Sequence, residues 1–396
     1  MAELAFTDLG TRNRTVPALE LVGSTDLTVS AVRTFDGLIA LKPDYDSLNL
    51  VAKNTIPYAL HEWHVTWWKH FSRAPGRAGD KLLILVVRNR AGACSAIIPL
   101  VESRTGISPF RATALRILGS DGGATDIRSP LIQPGMESAV IAAVRQHLAN
   151  VPGWNWIHWN TINADFNKAL EGKREIYREQ ALMFYVLDLK PTWEEFHAGL
   201  RRRTRQALRR SYTALEKGSV PFEFAVAESP QDVKKAIERF LELHAMRAKT
   251  ESQVRHPDRF ADPLKSAFLY DVCDQLAKRG VTRVFTMKIE GQIVAAQIGF
   301  AVGNSIYMYY SGFDPKWWNE GIMTTTWAEA IKYAIRCGLP EVNLSLGTNR
   351  SKTRWNPRAV PYETAFEPRH DLVSNTACAL YRFGRNVYRM VHMGTN

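Results

Sequence analysis

The chain has 396 residues, 45% of them hydrophobic and 23% charged, with 51 Lys and Arg against 39 Asp and Glu and a formal net charge of +12. That is globular composition on a chain long enough for two or three domains and a sizeable core, which excludes fibrous, collagen-like and wholly disordered proteins. The four cysteines, Cys94, Cys273, Cys337 and Cys378, are widely spaced and form no Cys-x-x-Cys pair. This pattern argues against zinc ribbons and secreted disulfide scaffolds and fits a reducing compartment. The first residues, MAELAFTDLGTRNR, mix acids and bases without a long apolar run. A cleaved leader is not expected, and the expected location is the cytoplasm.

Residues 1–57 read as an N-terminal extension in which Leu38 to Leu50 forms a helix against the first domain. Residues 58–71, YALHEWHVTWWKHF, predict a helix with Trp63, Trp67 and Phe71 near one face. LLILVVR (82–88) and CSAIIPLV (94–101) predict two strands joined by a polar turn. A helix over Glu137–Asn150 ends at Pro152-Gly153, and a Trp-rich strand follows at 154–160. The strand MFYVLDL then meets Lys190-Pro191, which places a domain boundary within 186–200.

The second half repeats that order. VTRVFTMKI (281–289) and QIVAAQIGFAV (292–302) flank Glu290-Gly291, and SIYMYYSGF (305–313) follows a Gly303-Asn304 turn. Gly291 to Phe313 is free of charge over 23 residues, long enough to span a bilayer. Its glutamines, its glycines and the alternation of Val294, Ala296, Ile298, Phe300 and Val302 read instead as strands. A helix over Ile322–Cys337 stops at Gly338 and Pro340, and the strand EVNLSL (341–346) follows. The shared order of strand–turn–strand, helix, break and strand predicts a diverged internal duplication.

Several stretches bear on chemistry, each with a structural alternative. The segment 305–323 predicts a strand, a loop holding Gly321 and a helix N-terminus, which suits a diphosphate, or is a plain connection with a turn glycine. RRRTRQALRR (201–210) carries six arginines and no acid, with Arg202, Arg205 and Arg209 on one helical face. It is a solvated face, a contact for CoA or acyl-carrier phosphates, or a surface for RNA or membrane. His244 and Arg247 fall one turn apart on a helix beginning near Asp232, where the histidine is a candidate general base or a buried structural residue. Asp314 orients substrate or caps a turn before Pro315. HEWH at 61–64, with His70 nearby, lacks a further ligand set and reads as an aromatic helix face, so no metal is expected. Gly119-Ser120-Asp121-Gly122-Gly123 reads as a loop. The tail, 371–396, reads as a basic amphipathic helix, with Leu380, Phe383, Val387, Tyr388 and Val391 opposed to Arg382, Arg385 and Arg389. It docks on the second domain or contacts the membrane surface weakly.

The stretches HEWHVTWWKHF, VVRNRAGACSAIIPL, LRRRTRQALRR, LELHAMR, FTMKIEGQIVAAQIGF, YMYYSGFDP and GTNRSKTRW, in this order over roughly residues 58–356, resemble one branch of the Gcn5-related N-acetyltransferase (GNAT) superfamily. The branch is the CelD/BcsL-like acetyltransferases associated with cellulose and exopolysaccharide synthesis, relatives of the Fem aminoacyltransferases. The resemblance implies an α/β fold of two tandem GNAT-like domains, with mixed central sheets flanked by helices. It places the domains at 58–189 and 190–370, the second carrying the donor site. It implies acyl transfer to an amine or hydroxyl, with acetyl-CoA or another acyl-CoA as donor and a glycan or amino sugar as acceptor. An acyl carrier protein or tRNA contacting Arg201–Arg210 would replace CoA in the alternative, a Fem-like ligase; a non-catalytic scaffold of a polysaccharide synthase is a third reading.

The same resemblance maps donor contacts onto Tyr309, Tyr310, Ser311, Gly312, Gly321, Ile322, Met323 and Thr324. Of the family's phosphate loop, Arg/Gln-x-x-Gly-x-Gly/Ala against Trp318-Asn319-Glu320-Gly321-Ile322-Met323, only Gly321 is kept; Met323 removes the second small residue, and Glu320 is acidic beside the expected phosphates. In the C-terminal family pattern Gly347, Lys352 and Trp355 are kept, whereas Asn343 and Asn349 fill acidic slots and Ser351 a tyrosine slot. An amide cannot accept a proton as a general base does. The implied roles are therefore His244, Lys352 and Asp314 for catalysis, and Arg247, Asn343, Asn349 and Trp355 for substrate. An enzyme at the inner face of the membrane is compatible with all of this.

Overall fold

The computed structural model describes residues 27–52, 56–77, 79–106, 111–120, 124–171, 175–217, 222–250, 256–347 and 349–393. It opens with β1 (Thr28–Val32), α1 (Phe35–Ala40), α2 (Lys42–Val51) and α3 (His61–Phe71). An antiparallel meander of β2 (Lys81–Arg88), β3 (Cys94–Thr105) and β4 (Ala112–Ile117) follows, with the short β5 (Leu131–Ile132) beside β3. Helix α4 (Glu137–Ala149) leads to β6 (Trp156–Ile162), parallel to β4, then to α5 (Ala164–Ala169) and β7 (Tyr177–Asp188).

The second half brings α6 (Trp193–Ala198), α7 (Arg202–Lys217), β8 (Phe222–Ala227), α8 (Pro230–Ala248) and α9 (Pro263–Lys278). Its meander is β9 (Thr282–Ile289), β10 (Gln292–Val302) and β11 (Ser305–Phe313). Helix α10 (Ile322–Arg336), β12 (Glu341–Leu346) parallel to β11, α11 (Arg350–Thr353), β13 (Arg358–Pro368) and α12 (Leu372–Met393) complete the chain. The β9–β10 turn has Glu290 at φ 51° and Gly291 at φ 76°. Two residues with positive φ make the tight hairpin whose twist suits antiparallel strands.

Both halves thus run strand, helices, three-stranded meander, helix, parallel strand, last strand. Their strands form one mixed sheet in the order β1-β2-β3-β4-β6-β13-β7-β12-β11-β10-β9-β8, with β5 off the path. The order is symmetric about its centre, where the last strands are exchanged. β13 from the second half pairs with β6 of the first, and β7 from the first pairs with β12 of the second. The division at 189/190 falls just after β7, and β1 with α1 and α2 precedes residue 58 as part of the first repeat.

Helices cover both faces. On one, α1, α3, α8 and α9 share a core that includes Leu38, Trp63, Trp67, Phe240, Phe268 and Phe300. Burying each of these large side chains is worth about 1.5–3 kcal/mol. The Trp63 indole N–H donates to Thr125 Oγ1 at 3.2 Å, so its one polar atom is satisfied. On the other face, α7 and α10 enclose Leu208, Phe285, Trp327, Ile331 and Trp355. None of the described helices is long and apolar enough to cross a membrane.

Helix α12 lies on β13 and β6 with Arg382 and Arg385 inward. Arg382 stands 4.2 Å from the Tyr177 ring centroid, and Arg385 pairs with Glu179 at 3.2 Å. The apolar stripe of the tail, Leu380, Phe383 and Val387, is exposed. Stacking on Tyr177 and Phe366 and pairing with Glu179 outweigh the usual rule that apolar residues face the body. The side chains of Tyr388, Arg389 and Val391 lie outside the described residues.

Candidate active site

Strands β11 and β12 run parallel only over Ser305–Tyr307 against Glu341–Asn343. Beyond that register they diverge, β11 continuing to Phe313 and β12 to Leu346. The divergence coincides with a bulge in β11, where Tyr309 and Tyr310 together oppose Ile298 of β10. A bulge re-aims side chains and leaves a residue out of the ladder. The Gln297 amide steadies it, donating to the Tyr310 carbonyl at 3.2 Å.

A loop from the first half reaches across this opening. The Tyr309 hydroxyl donates to the Ala124 carbonyl. Two residues further, the Asp126 carboxylate accepts from Tyr58 Oη at 3.2 Å and from Ser345 Oγ. Ser345 is held at φ 64°, a conformation rare for a side-chain-bearing residue, and its N–H is capped by Asn343 Oδ1 at 2.8 Å. Asn343 thus shapes the end of β12. The Lys352 ammonium donates to the Leu346 carbonyl from α11. Burial lowers the Lys352 pKa to about 8, with Asp126 acting in the opposite sense. Burial, with the Asp126 charge, pushes the Tyr58 phenol well up, so it stays protonated.

Behind β11, α8 carries His244 and Arg247. His244 Nδ1 donates to the Ser311 carbonyl at 3.0 Å, and the Arg259 N–H donates to Nε2 at 3.3 Å. Both ring nitrogens are engaged with backbone, and burial lowers the imidazole pKa, so the ring is a neutral strut between β11 and the segment after α8. Arg247 donates to Ser311 Oγ at 3.2 Å and lies over Phe313. A Cβ on Gly312 would come within 2.7 Å of the His244 backbone nitrogen, so this glycine permits close helix–strand packing.

The first turn of α10 forms the third part. Gly321 is its N-cap at φ 70°, with no side-chain cap bond. A Cβ there would lie 2.3 Å from Ser211 Oγ on α7. Ile322 is buried in an apolar cluster that Met323 flanks. Thr325 Oγ1 is buried with no hydrogen-bond partner among the described residues. Arg354 Nη1 donates to Thr324 Oγ1 at 2.8 Å. A small cavity here is lined by Met323, Thr324, Trp327, Ser351, Arg354 and Trp355.

The remaining sequence candidates take structural positions. Asp314 caps a 3-10 turn, accepting from the Lys316 N–H at 3.0 Å. Asn349 precedes α11 and accepts from Ser351 Oγ at 2.8 Å, and Trp355 is buried in the core beneath. His61 contacts the Leu38 carbonyl and His64 the Tyr45 hydroxyl, each at 2.9 Å. Among the described residues no three His, Cys, Asp or Glu side chains gather as metal ligands. In the arginine run, Arg205 turns inward and donates to the Ala198 and Leu200 carbonyls, whereas Arg202, Arg203, Arg209 and Arg210 are exposed. Asp121–Gly123 and Thr348 lie outside the described residues.

Tyr58, Asp126, Ser345, Thr325 and Arg354 were not singled out by sequence. Asp126 follows a glycine-rich loop and Ser345 interrupts an apolar strand two residues before Gly347, weak signals that gain meaning only when the halves meet.

Residues 202–353 match the acetyltransferase (GNAT) domain family, so the second half carries a GNAT acyltransferase-type domain. No curated protein matches the chain in sequence. The crystal structure of FemX superimposes with a TM-score of 0.59 at 11% identity, covering 85% of this chain and 96% of its own. A conserved protein of unknown function from Bacteroides thetaiotaomicron VPI-5482 does so at 0.54 and 11% identity, covering 86% of this chain and 100% of its own. At these identities the likeness is one of fold.

Proposed function

We propose that this chain is an acyltransferase that moves an acetyl or longer acyl group from acyl-CoA to an amino sugar or glycan in envelope or exopolysaccharide synthesis. The observation that carries the reading is the opening between β11 and β12, where a carboxylate and a desolvated amine stand together. Acyl transfer needs a group to take the acceptor's proton and a hydrogen-bond donor where charge develops on the carbonyl oxygen. Asp126 supplies the first. It replaces His244 in that role, because both nitrogens of His244 are committed to backbone. Lys352, with the backbone freed at the β11 bulge, supplies the second. The acceptor attacks directly, and no covalent enzyme intermediate is needed.

An acyl-CoA donor contributes an activated thioester carbonyl. The first turn of α10 fits its diphosphate: a helix N-terminus without a side-chain cap, the Thr324 hydroxyl and the Arg354 guanidinium that donates to it meet there. Glu320, just before Gly321, opposes that charge, and Arg354 with the helix dipole offsets it. The choice of acceptor rests on the sequence resemblance to the polysaccharide-associated branch.

One observation favours a second reading. The exposed arginines of α7 lie beside the donor loop, since Ser211 meets Gly321. A larger polyanion, aminoacyl-tRNA or a carrier protein, suits that surface. A thermal-shift screen with acetyl-CoA, CoA, longer acyl-CoAs and charged tRNA separates the two. A ligand at 100 times its Kd stabilises by about 2.7 kcal/mol. Stabilisation by acyl-CoA with thiol release on adding amino sugars supports the first reading. Stabilisation by tRNA alone, steeply salt-dependent, supports the second, and no turnover with any donor leaves a scaffold.

A further inference from the structure

We propose that α12 is a self-association surface: it pairs antiparallel with the α12 of a second copy of this chain. Leu372, Val373, Leu380, Phe383 and Met390 are 82%, 73%, 62%, 70% and 70% exposed, all on this one helix. Val373, Thr376, Leu380, Phe383, Val387 and Met390 recur at spacings of three, four, three, four and three. Strict alternation of three and four is the narrow seam of a coiled coil, not the broader stripe that a globular core requires. The opposite face is already docked, through Cys378, Tyr381, Arg382 and Arg385 against Trp156, Phe366, Tyr177 and Glu179. Among the described residues the seam is left uncovered, and contiguous apolar surface of this kind marks an interaction site.

Charge decides the occupant. The positions flanking the seam, Leu372, Ala377, Ala379, Gly384 and Asn386, are uncharged. Two copies of a chain carrying +12 meet there without like charges facing each other. An anionic membrane surface would need cations bordering the apolar stripe, but Arg382 and Arg385 point the other way, into the body. Antiparallel pairing sets the positive end of one helix dipole beside the negative end of the other, a complementary arrangement. The spacing is palindromic, so it also sets Val373 against Met390, Thr376 against Val387 and Leu380 against Phe383, smaller against larger throughout. Gly384 fits the same picture. A Cβ there would meet nothing within 4 Å among the described residues, which give no reason for glycine in mid-helix, whereas a second helix approaching closely does.

The test is the mass of the full chain by sedimentation equilibrium across a concentration series. The expected result is a dimer that the double variant Leu380→Glu, Phe383→Glu converts to a monomer with an unchanged melting transition, since both side chains are exposed. In a Cys337→Ser background, a mixture of Thr376→Cys and Val387→Cys chains should form a disulfide-linked pair, and Thr376→Cys alone should not. A monomer at every concentration overturns the proposal. So does a monomer that co-sediments with phosphatidylglycerol vesicles and loses that binding in the double variant, which would make the occupant a membrane. Self-linking of Thr376→Cys overturns the antiparallel arrangement.

Discussion

The Ser345 hydroxyl at the end of β12 donates to the Asp126 carboxylate in the other half, while Ser345 itself sits at φ 64°. These two facts separate in mutants. Ser345→Ala keeps the backbone cost and removes the bond, so it should lower stability by about 1 kcal/mol. Ser345→Gly removes both, so it should melt above Ser345→Ala. Asp126→Asn should slow acyl transfer by about 10²–10⁴-fold, the usual contribution of a general base, with little change in the donor's KM. Full activity in Asp126→Asn would remove it from the chemistry.

Lys352 gives a pH signature. Its pKa is about 8 in the folded chain against an ordinary 10.5, through burial. Between those values the unfolded chain holds more protons, so this group's contribution makes stability rise with pH from about 8 to 10.5. Below about 8 the buried charge is a full cost. Lys352→Met should therefore be more stable than the parent near neutrality, with the difference shrinking across that window in denaturant titrations, while transfer activity is lost. A difference independent of pH would mean that the amine is well solvated.

Gly321 is constrained twice, by φ 70° and by Ser211 Oγ lying 2.3 Å from where a Cβ would be. Gly321→Ala should first destabilise the α7–α10 packing. Adding Ser211→Gly should recover the part due to contact and leave the part due to backbone, read as two steps in melting temperature.

The arginines of α7 should divide by orientation. Arg205→Ala removes a cap from the Ala198 and Leu200 carbonyls and should cost about 1 kcal/mol of stability. Replacing Arg202, Arg203, Arg209 and Arg210 by Gln should leave melting unchanged and flatten the salt dependence of donor binding. An unchanged salt slope would make them a solvated face only.

Truncation before Leu372 should lower the melting temperature. It uncovers Trp156 and Phe366 and breaks the Arg385–Glu179 pair, which a helix merely lying on solvent would not do.

The second repeat was legible because local chemistry agreed with the fold. Glu290-Gly291 and Gly303-Asn304 punctuate strands whose apolar residues alternate, and Gly338 stops α10. Strand β13 was not legible, because Pro361 and Pro368 argue against a central strand. The structure resolves this by position. Pro361 pairs with Met183 of β7, while pairing with β6 begins only at Glu363, so the missing N–H falls where β13 has one neighbour. Asp126, Tyr58 and Ser345 were invisible for a different reason. They belong to segments far apart in sequence, and no spacing rule joins them. The tail misled through its own pattern: a stripe and a basic face were correctly separated, but which one would dock depended on aromatic rings and a carboxylate elsewhere.

The exchange of β7 and β13 has a consequence for how the chain is cut. Cleavage in the connection between β7 and α6 would leave two fragments, each ending in a strand whose bonding partners lie in the other. Neither fragment closes its own sheet, so each alone should expose hydrogen-bonding edges and aggregate. Expressed together they should find each other and reassemble, because the missing strand of one is the last strand of the other. The molecule is thus built as a natural split protein, and complementation between co-expressed fragments is the form in which its two halves should prove separable.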